Sequence, residues 1–375
     1  MRTVKAAAAA ATVAIAAGAA GVAAGRFASN AALKAPPGRP LPTEPRLTVH
    51  STAAGQITLT RALASQRPGV YGLSGDDSHA IVGPVLNTAS RSADTVVRRL
   101  ERVLKGTLEP GDRAWLTPNL YVGDPGAALG LRHDDVEIPG ELGALPAWFV
   151  RGARDTWVIT VHGLGATREH PMNVMDFLNR HQFPVLDLAY RGDPGAPRPL
   201  DGLNHLGETE WRDVEAAVRH AVHRGAERVV LHGWSTGATM ALRAAAYSEL
   251  RGRICGLVLD SPVLNWEATL RALAAARRTP GALLPLAVRA AQGRTGLYGD
   301  HVHGPADPHQ LSVPTLIFHG PDDAVAPWAP SRRLAERRPD LVTLHTVREA
   351  PHAAMWNADP RTYEEALRRF LTPLM

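Results

Sequence analysis

The stretch Gly-Trp-Ser-Thr-Gly at residues 233–237 decides the fold that we predict for this chain. An apolar run of strand type, residues 228–232, precedes it, and a run of helix formers, residues 238–246, follows it. Glycines admit a turn that is too sharp for residues with side chains, so a serine between them is held out at the N-terminus of the helix. The context therefore favours a nucleophile elbow at Ser235 over an ordinary glycine-rich turn.

Two residues further along the chain can activate this serine. A serine hydroxyl is a weak nucleophile until a histidine accepts its proton, and a carboxylate must fix the tautomer of that histidine. Asp323 lies in a turn after the apolar run 314–318, and His352 lies in a loop after the last predicted strand, residues 342–347. The order serine, aspartate, histidine differs from the orders in chymotrypsin and subtilisin.

A fourth motif can stabilise the negative charge that develops on a substrate oxygen. The apolar strand 157–161 ends in a glycine-containing loop, His-Gly-Leu-Gly-Ala at residues 162–166. A backbone N–H of this loop and the N–H after the nucleophile can form an oxyanion hole. We predict that Leu164 and Thr236 supply these two groups, whereas His162 and His319 shape their loops without transferring protons.

With these four motifs, the chain from about His133 to the C-terminus resembles the α/β-hydrolases, near their serine esterase, lipase and serine-peptidase branches. The resemblance implies a mostly parallel eight-stranded sheet with helices on both faces. Ala238 departs from the common G-x-S-x-G-G pattern, which affects no catalytic role. The acid turn of the family is similar to H-G-x-x-D, which favours Asp323 over its neighbour Asp322. Some hydrolases place the acid after an earlier strand, so Asp260 stays a weaker alternative.

The composition limits which classes of protein and which partners fit this chain. The 375 residues, 45% of them hydrophobic, suffice for one large α/β domain and additional segments. The net charge of +5 comes from scattered arginines that alternate with acids, without a basic run interleaved with aromatics, so we expect no nucleic-acid partner. The single cysteine, Cys255, excludes an intrachain disulfide and is expected to be a buried small hydrophobe.

The N-terminus predicts a route to the membrane or out of the cell. Arg2 and Lys5 precede twenty uncharged residues, 6–25, which suit a single membrane span or a cleaved signal peptide. Residues 26–45 form a proline-rich linker, and its part 35–45, with five prolines in eleven residues, is predicted to be a stiff spacer that holds the hydrolase off a membrane surface. We therefore expect a protein of the cell membrane, or a secreted protein if residues 1–25 are removed.

Residues 46–132 match no motif and are predicted to be an N-terminal extension that packs on the catalytic domain, residues 133–375. Within it, residues 70–73 and 80–82 indicate strands, and the apolar spacing over 96–104 indicates a helix, although the flanking turns also fit a strand. Residues 135–150 indicate a hairpin that opens the hydrolase sheet. Two helical patches within about 266–312 indicate a short cap over the site.

A histidine-rich loop at the end of the cap raises the question of a metal. Residues 300–309 contain His301, His303 and His309 with two aspartates. A H-x-H in a loop without ligands elsewhere is usually solvated, so we expect no metal and no other cofactor.

These patterns predict a serine hydrolase that cleaves carboxylic esters through an acyl-enzyme, with a small-molecule or lipid acyl ester as substrate. Two alternatives stay open: a serine peptidase of the same fold, and a catalytically silent hydrolase fold that serves as a binding protein. The sequence leaves the natural substrate and the oligomeric state undetermined, because fold alone supplies neither.

Overall fold

A computed structural model describes residues 43–53, 55–86, 92–295, 307 and 309–375, together with the single positions 25, 33, 37, 38 and 41. It contains two β-structures that follow one another along the chain, a closed barrel and an open sheet. Within the described residues, no helix has both the length and the apolar character needed to cross a bilayer. The predicted span or signal peptide, residues 1–25, lies outside these residues except for Gly25.

The extension before the catalytic domain is a six-stranded antiparallel barrel with strand order β1-β2-β5-β4-β3-β6. Two short helices, α1 (Leu63–Gln66) and α2 (Pro125–Leu129), accompany it. Its strands are β1 (Leu47–Ala53), β2 (Gln56–Thr60), β3 (Tyr71–Ser74), β4 (His79–Val85), β5 (Thr95–Lys105) and β6 (Arg113–Thr117).

The helix predicted over residues 96–104 is wrong, because this segment is strand β5. The pairing of β4 with β5 contains three register irregularities, one of them between Val82 and Val85. A bulge shifts the side-chain alternation of a strand by one residue, so apolar residues no longer recur at every second position. The resulting spacing imitates that of a helix. The strands predicted at residues 70–73 and 80–82 are present as β3 and β4.

The eight-stranded sheet of the catalytic domain has the order β14-β13-β12-β11-β9-β10-β8-β7. The pairs β7–β8 and β8–β10 are antiparallel and all others are parallel, which confirms the predicted mostly parallel sheet. The strands are β7 (His133–Gly140), β8 (Gly143–Val150), β9 (Thr156–Val161), β10 (Val185–Leu188), β11 (Arg228–Trp234), β12 (Ile254–Asp260), β13 (Thr315–His319) and β14 (Val342–Thr346).

Helices cover both faces of this sheet. Along β9, Val158 packs in one hydrophobic cluster and Ile159 in the other, as the alternation of a strand buried on both faces requires. The helices are α3 (Met172–Arg180), α4 (Trp211–His223), α5 (Thr236–Tyr247), α6 (Trp266–Ala276), α7 (Leu284–Thr295), α8 (Ala329–Arg337), α9 (Met355–Ala358) and α10 (Pro360–Leu371), with short 3₁₀ turns at Arg251–Arg253, Gly281–Leu283 and Thr372–Leu374. The two helices predicted for the cap are α6 and α7.

The described part of the proline-rich linker packs against the protein. Leu33 is buried in a hydrophobic cluster with Leu270 of α6 and Val288 of α7. The Gly38 N–H donates to the Gly165 carbonyl at 2.9 Å. The linker therefore contacts the catalytic domain at these positions, and its role as a spacer from a membrane stays a prediction.

Candidate active site

Ser235 lies between the last residue of β11 and the first residue of α5, at the predicted elbow. Its φ of +55° and ψ of −118° belong to a region that non-glycine residues rarely adopt. A Cβ at position 233 would lie 2.5 Å from the Ala238 nitrogen, and one at position 237 would lie 2.1 Å from the Val161 carbonyl oxygen. The two glycines of the motif are therefore required by close backbone approach.

The structure brings Ser235, His352 and Asp323 into one chain of hydrogen bonds. The Oγ of Ser235 lies 2.7 Å from Nε2 of His352, and Nδ1 of His352 lies 2.7 Å from Oδ2 of Asp323. All three residues are buried, with at most 9% of any of them exposed. The other carboxylate oxygen, Oδ1, accepts the backbone N–H groups of Val325 and Ala326, each at 2.8 Å. These donors hold the carboxylate in the plane that the histidine needs.

The ionisation states of Asp323 and His352 are set mainly by the interaction of these two side chains with each other. Burial alone raises the pKa of Asp323, but the imidazoles of His352 and His319 outweigh it and keep that pKa well below its usual range. Burial alone lowers the pKa of His352, but the carboxylate of Asp323 outweighs it and raises the net value. The carboxylate therefore stays ionised at neutral pH, so Nδ1 of His352 donates to it and Nε2 is left to accept the serine proton.

The two rival acids are engaged elsewhere. Oδ2 of Asp322 accepts the Glu349 N–H at 2.8 Å and so anchors the loop that carries His352. Asp260 is fully buried, and its Oδ1 accepts the hydroxyl of Ser261 at 2.8 Å. Burial raises the pKa of Asp260 to about 7. A carboxyl that is partly protonated near neutral pH is a poor partner for an imidazolium.

The loop predicted to stabilise the oxyanion runs beside the serine. A Cβ on Gly163 would lie 2.7 Å from the Ser235 Cβ, so glycine is needed for this approach. Leu164 follows and lines the same cavity as Ser235. Thr236 occupies the first position of α5, where an N–H has no carbonyl of a preceding helical turn to bond. Both backbone groups thus lie next to the nucleophile.

Buried side chains fix this loop from below. His162 contacts the Gly163 carbonyl through Nδ1 at 3.0 Å and the Asp193 carboxylate through Nε2 at 2.8 Å. The hydroxyl of Tyr190 donates to the same Gly163 carbonyl at 3.1 Å. His162 therefore lies under the loop at a strand end, in the position that the sequence predicted for it.

From the sequence, His319 was predicted only to shape its loop. Its Nε2 lies 3.1 Å from Oδ2 of Asp323, and its Nδ1 lies 2.8 Å from the Ser331 hydroxyl. The position four residues before Asp323 was a signal for this contact, because a turn between them brings the two side chains together.

Two strained residues near the histidine were not foreseen. Ser261 has φ of +50° and Ala353 has φ of +56°. The Ala353 N–H donates to the Ser261 hydroxyl at 2.9 Å. Residues in sparsely populated conformations cost about 1–3 kcal/mol each, and they persist at sites where the surrounding structure enforces the geometry. This bond ties the histidine loop to the end of β12, and nothing in the sequence pattern signals it.

The barrel is fastened to the same histidine loop. Asn357, fully buried, donates from its Nδ2 to the carbonyls of Val70 and Pro118, each at 3.0 Å. Its backbone carbonyl accepts the Val70 N–H at 2.9 Å, and a Cβ on Gly69 would lie 2.0 Å from that carbonyl oxygen. Ala354, two residues after His352, packs in the hydrophobic core of the barrel. Barrel and histidine loop are therefore joined by polar and apolar contacts.

A cavity of about 260 Å³ opens at the serine, between the barrel and the sheet. Ser235, His352 and residues 163–166 form one wall. The opposite wall comes from the linker and the barrel, which contribute Gly38, Leu41, Glu44, residues 74–79, Lys105, residues 115–119, Tyr121 and Val122. The barrel contributes none of Ser235, Asp323 and His352, yet it supplies much of the lining of this cavity.

No group of three or more histidine, cysteine, aspartate or glutamate side chains suited to a metal occurs among the residues that the structure describes. Most of the histidine-rich loop, residues 300–306 and 308, lies outside them. Cys255 lies in β12 and is partly buried.

Comparison with known families divides the chain as the structure does. Residues 48–117, which coincide with the barrel strands, match the model of a domain of unknown function (DUF8805). Residues 152–296 match the family model described as serine aminopeptidase, S33. The second match includes the elbow and the oxyanion loop but ends before Asp323 and His352.

Individual relatives cover the catalytic part. The human protein ABHD12B is 29% identical over 237 residues, which are 59% of this chain and 61% of the human protein. The crystal structure of an esterase from Pyrococcus furiosus, Pf2001, superposes with a TM-score of 0.55 at 23% identity, and the match covers 67% of this chain and 94% of that one. At this identity the likeness shows the fold. A second crystal form of the same esterase gives a TM-score of 0.55 and 68% coverage of this chain.

Proposed function

We propose that this chain, which has the fold of the α/β-hydrolases, is a serine hydrolase that cleaves carboxylic esters through an acyl-enzyme. The observation that carries the proposal is the hydrogen-bonded series from Ser235 through His352 to Asp323, with 2.7 Å at each step. It opens on a cavity large enough for a small substrate. A serine is reactive only with such a base and such a carboxylate, so the geometry supports chemistry at Ser235.

In the acylation step, Oγ of Ser235 attacks the ester carbonyl carbon while its proton passes to Nε2 of His352. The electron pair of the carbonyl bond moves to oxygen, where the N–H groups of Leu164 and Thr236 stabilise the negative charge. When this pair returns, the bond from carbon to the alcohol oxygen breaks, and the proton on Nε2 passes to the leaving alkoxide. Asp323 stabilises the imidazolium that forms in between.

Deacylation repeats the sequence with water as nucleophile. Water gives a proton to Nε2 of His352 and forms a bond to the acyl carbon. The tetrahedral intermediate then expels Oγ of Ser235, which recovers the proton, and the carboxylic acid leaves. The same two backbone N–H groups bind the oxyanion in both steps, so one preorganised site serves the whole cycle.

A serine peptidase is the second candidate, and the family match supports it, because the matching model is described as a serine aminopeptidase. The structural relative named an esterase is similar in fold alone. We favour ester hydrolysis because an ester needs no recognition of a peptide chain, and the cavity at Ser235 has a volume of only about 260 Å³. A catalytically silent binding protein is disfavoured, since all three reactive side chains are in bonding contact.

The test is turnover of p-nitrophenyl esters against aminoacyl-nitroanilides by the full chain, with Ser235→Ala as the matched control. Ester turnover with labelling of Ser235 by a fluorophosphonate supports the esterase. Preferential turnover of the aminoacyl-nitroanilides would show that the protein is a peptidase and not an esterase. A chain that turns over neither and is not labelled is the silent binding protein.

For the N-terminus, we propose that residues 1–25 attach the protein to the membrane or direct its export, and that the hydrolase begins at about residue 133. The uncharged stretch 6–25 supports the first point. A charge near its centre, as in Ile15→Asp, should release the protein from the membrane fraction. Mass spectrometry of the native N-terminus distinguishes an anchor from a cleaved signal, and an intact cytosolic chain would contradict both.

A further inference from the structure

One wall of the cavity at Ser235 carries no group that takes part in the proposed reaction. On the barrel side the cavity is closed by two segments, the turn between β3 and β4 (residues 74–79) and the chain from β6 onward (residues 115–119, 121 and 122). Leu41 and Glu44 of the linker close it further. These segments carry no nucleophile, base or oxyanion donor. A wall built from a separate domain against the nucleophile is the place where substrates can be selected.

Among the described residues, the charges on this cavity are mainly negative. The acids that line it are Glu44, Asp76, Asp77 and Glu169, and the one lysine or arginine in this described lining is Lys105. Asp76, Asp77 and Lys105 are exposed, whereas Glu44 and Glu169 are half-buried. The charge of Glu44 is partly offset by Arg67, whose Nη1 lies 2.9 Å from its carboxylate. The described lining therefore has an excess of negative charge.

Apart from His352, two histidines line the cavity in the described part of the chain, His79 and His170, and they add no compensating charge. Burial lowers the pKa of His79. Burial likewise lowers the pKa of His170 to about 3. Both side chains are therefore neutral at neutral pH. A cleft with low-dielectric walls and an excess of one sign of charge attracts ligands of the opposite sign and repels those of the same sign.

The size and the apolar lining limit the substrate further. Leu41, Trp115, Leu116, Tyr121 and Val122 face the cavity beside the acids. Its volume of about 260 Å³ lies just below the roughly 300–1,000 Å³ of pockets that enclose a drug-sized ligand. A compact group can be enclosed, whereas a long alkyl chain would have to leave through the charged mouth.

We propose that the barrel, together with Gly38, Leu41 and Glu44 of the linker, forms the substrate-selecting wall of the site, and that this wall admits compact neutral or cationic esters and rejects anionic and long-chain ones. This inference rests on the proposed ester hydrolysis. It assigns a function to residues 46–132, and it names Asp76 and Asp77 as residues that determine specificity by charge.

The experiment uses p-nitrophenyl esters of equal acyl length that end in a methyl, a trimethylammonium or a carboxylate group, at low ionic strength. A second series carries the same three groups on the alcohol side. In at least one series we expect kcat/KM for the carboxylate ester to be ten or more times lower than for the methyl ester. In the same series, kcat/KM for the trimethylammonium ester should at least equal that for the methyl ester. Butanoate should exceed hexadecanoate as an acyl group. Equal values across both charge series would overturn the inference.

The matched variants separate a local from a global charge effect. The double variant Asp76→Asn with Asp77→Asn removes two charges from the mouth. The control, Glu101→Gln with Glu109→Gln, removes two charges from exposed positions of the barrel domain that do not line the cavity. The first variant should reduce the discrimination against the carboxylate by threefold or more, and the control should leave it unchanged. Equal reductions in both would mean that net charge alone acts, which contradicts the proposal.

Binding to Ser235→Ala distinguishes failure of this inference from failure of the proposed function. The dissociation constants of the same esters are measured on this variant by calorimetry. If wild type hydrolyses none of them but the variant still binds cationic and neutral esters more tightly than anionic ones, ester hydrolysis is wrong and the selecting wall stands. If wild type hydrolyses all charge types equally, the selecting wall is wrong and the esterase stands.

Discussion

The barrel and the sheet are both built from β-strands, but they use them differently. In the sheet, parallel strands β9, β11 and β13 end at one edge, and the loop 162–166, Ser235 and the turn that carries Asp323 follow after them, the proposed oxyanion loop, nucleophile and acid. In the barrel, antiparallel strands close on themselves around a core that includes Leu59, Leu73 and Leu116. The sheet therefore gathers reactive groups at one edge, whereas the barrel presents a wall.

We propose that this difference separates catalysis from substrate selection at one cavity. Reactive residues need strand ends that meet, because only there do loops distant in sequence come within hydrogen-bond distance. Selection needs only a surface held at a fixed place beside them. The join at Asn357 holds the barrel to the histidine loop, so that surface has a defined position. Variants of the sheet should then act on kcat, and variants of the barrel on selection or on the placement of His352.

The largest expected effect tests the sheet. Ser235→Ala should remove essentially all turnover while thermal unfolding stays unchanged, and His352→Ala should cost nearly as much, on the order of 10⁴ to 10⁶ in kcat, because these groups act as a unit. Steady-state kinetics with a neutral ester measures it. If Ser235→Ala retained turnover near that of wild type, the chemistry would not belong to the sheet edge.

The second effect sharpens the choice of acid within the sheet. Asp323→Asn should cost on the order of 10⁴ in kcat, because an amide favours the wrong tautomer of His352. Asp322→Asn should be mild, since an amide oxygen can still accept the Glu349 N–H. A large loss at Asp322 or Asp260 with little loss at Asp323 would reverse the assignment.

The third effect tests the join between the two regions. Asn357→Ala leaves the carbonyls of Val70 and Pro118 without these donors and loosens the segment that follows His352. A shift of about 1 Å in a catalytic group can cost on the order of 100-fold, so we expect kcat to fall by roughly 10- to 100-fold with little change in KM.

The control for this variant is Asn179→Ala, which removes an exposed amide that donates to the Arg151 carbonyl, at 3.1 Å, away from the join. It should leave kcat unchanged. If both variants lowered stability alike and left kcat alone, the contact at Asn357 would be structural and would not position His352.

The smallest effect concerns pH. His352 must be neutral to accept a proton, and its pKa is raised, so kcat/KM should rise with pH through a value above 6.5 and fall about tenfold per unit below it. Glu44, across the cavity, contributes to this raised pKa. Glu44→Gln should therefore move the acidic limb to lower pH without lowering the plateau of kcat. A shift to higher pH would show that the linker does not act on His352 through its charge.

The elements of the sheet could be predicted because their cause is local. Its central strands are buried on both faces, so they are continuous apolar runs, and the apolar runs predicted at residues 157–161 and 228–232 lie in β9 and β11. The turn at Ser235 could be predicted because Gly233 and Gly237 permit the close backbone approach that it requires. The barrel could not be predicted in this way. Its strands alternate between core and solvent and contain bulges, so β5 imitated a helix.

The sequence by itself determined which residues can do the chemistry and in what order, because the elbow, the glycine loop and the acid turn are short motifs whose geometry is set by adjacent residues. Only the tertiary structure decided how Asp323, His319 and His352 share hydrogen bonds, that Glu44 and Asp76 line the cavity at Ser235, and that Asn357 bonds to the barrel. Those contacts join residues up to 287 positions apart, as between Val70 and Asn357. No local pattern encodes such a contact, since it exists only once the barrel has packed on the loop.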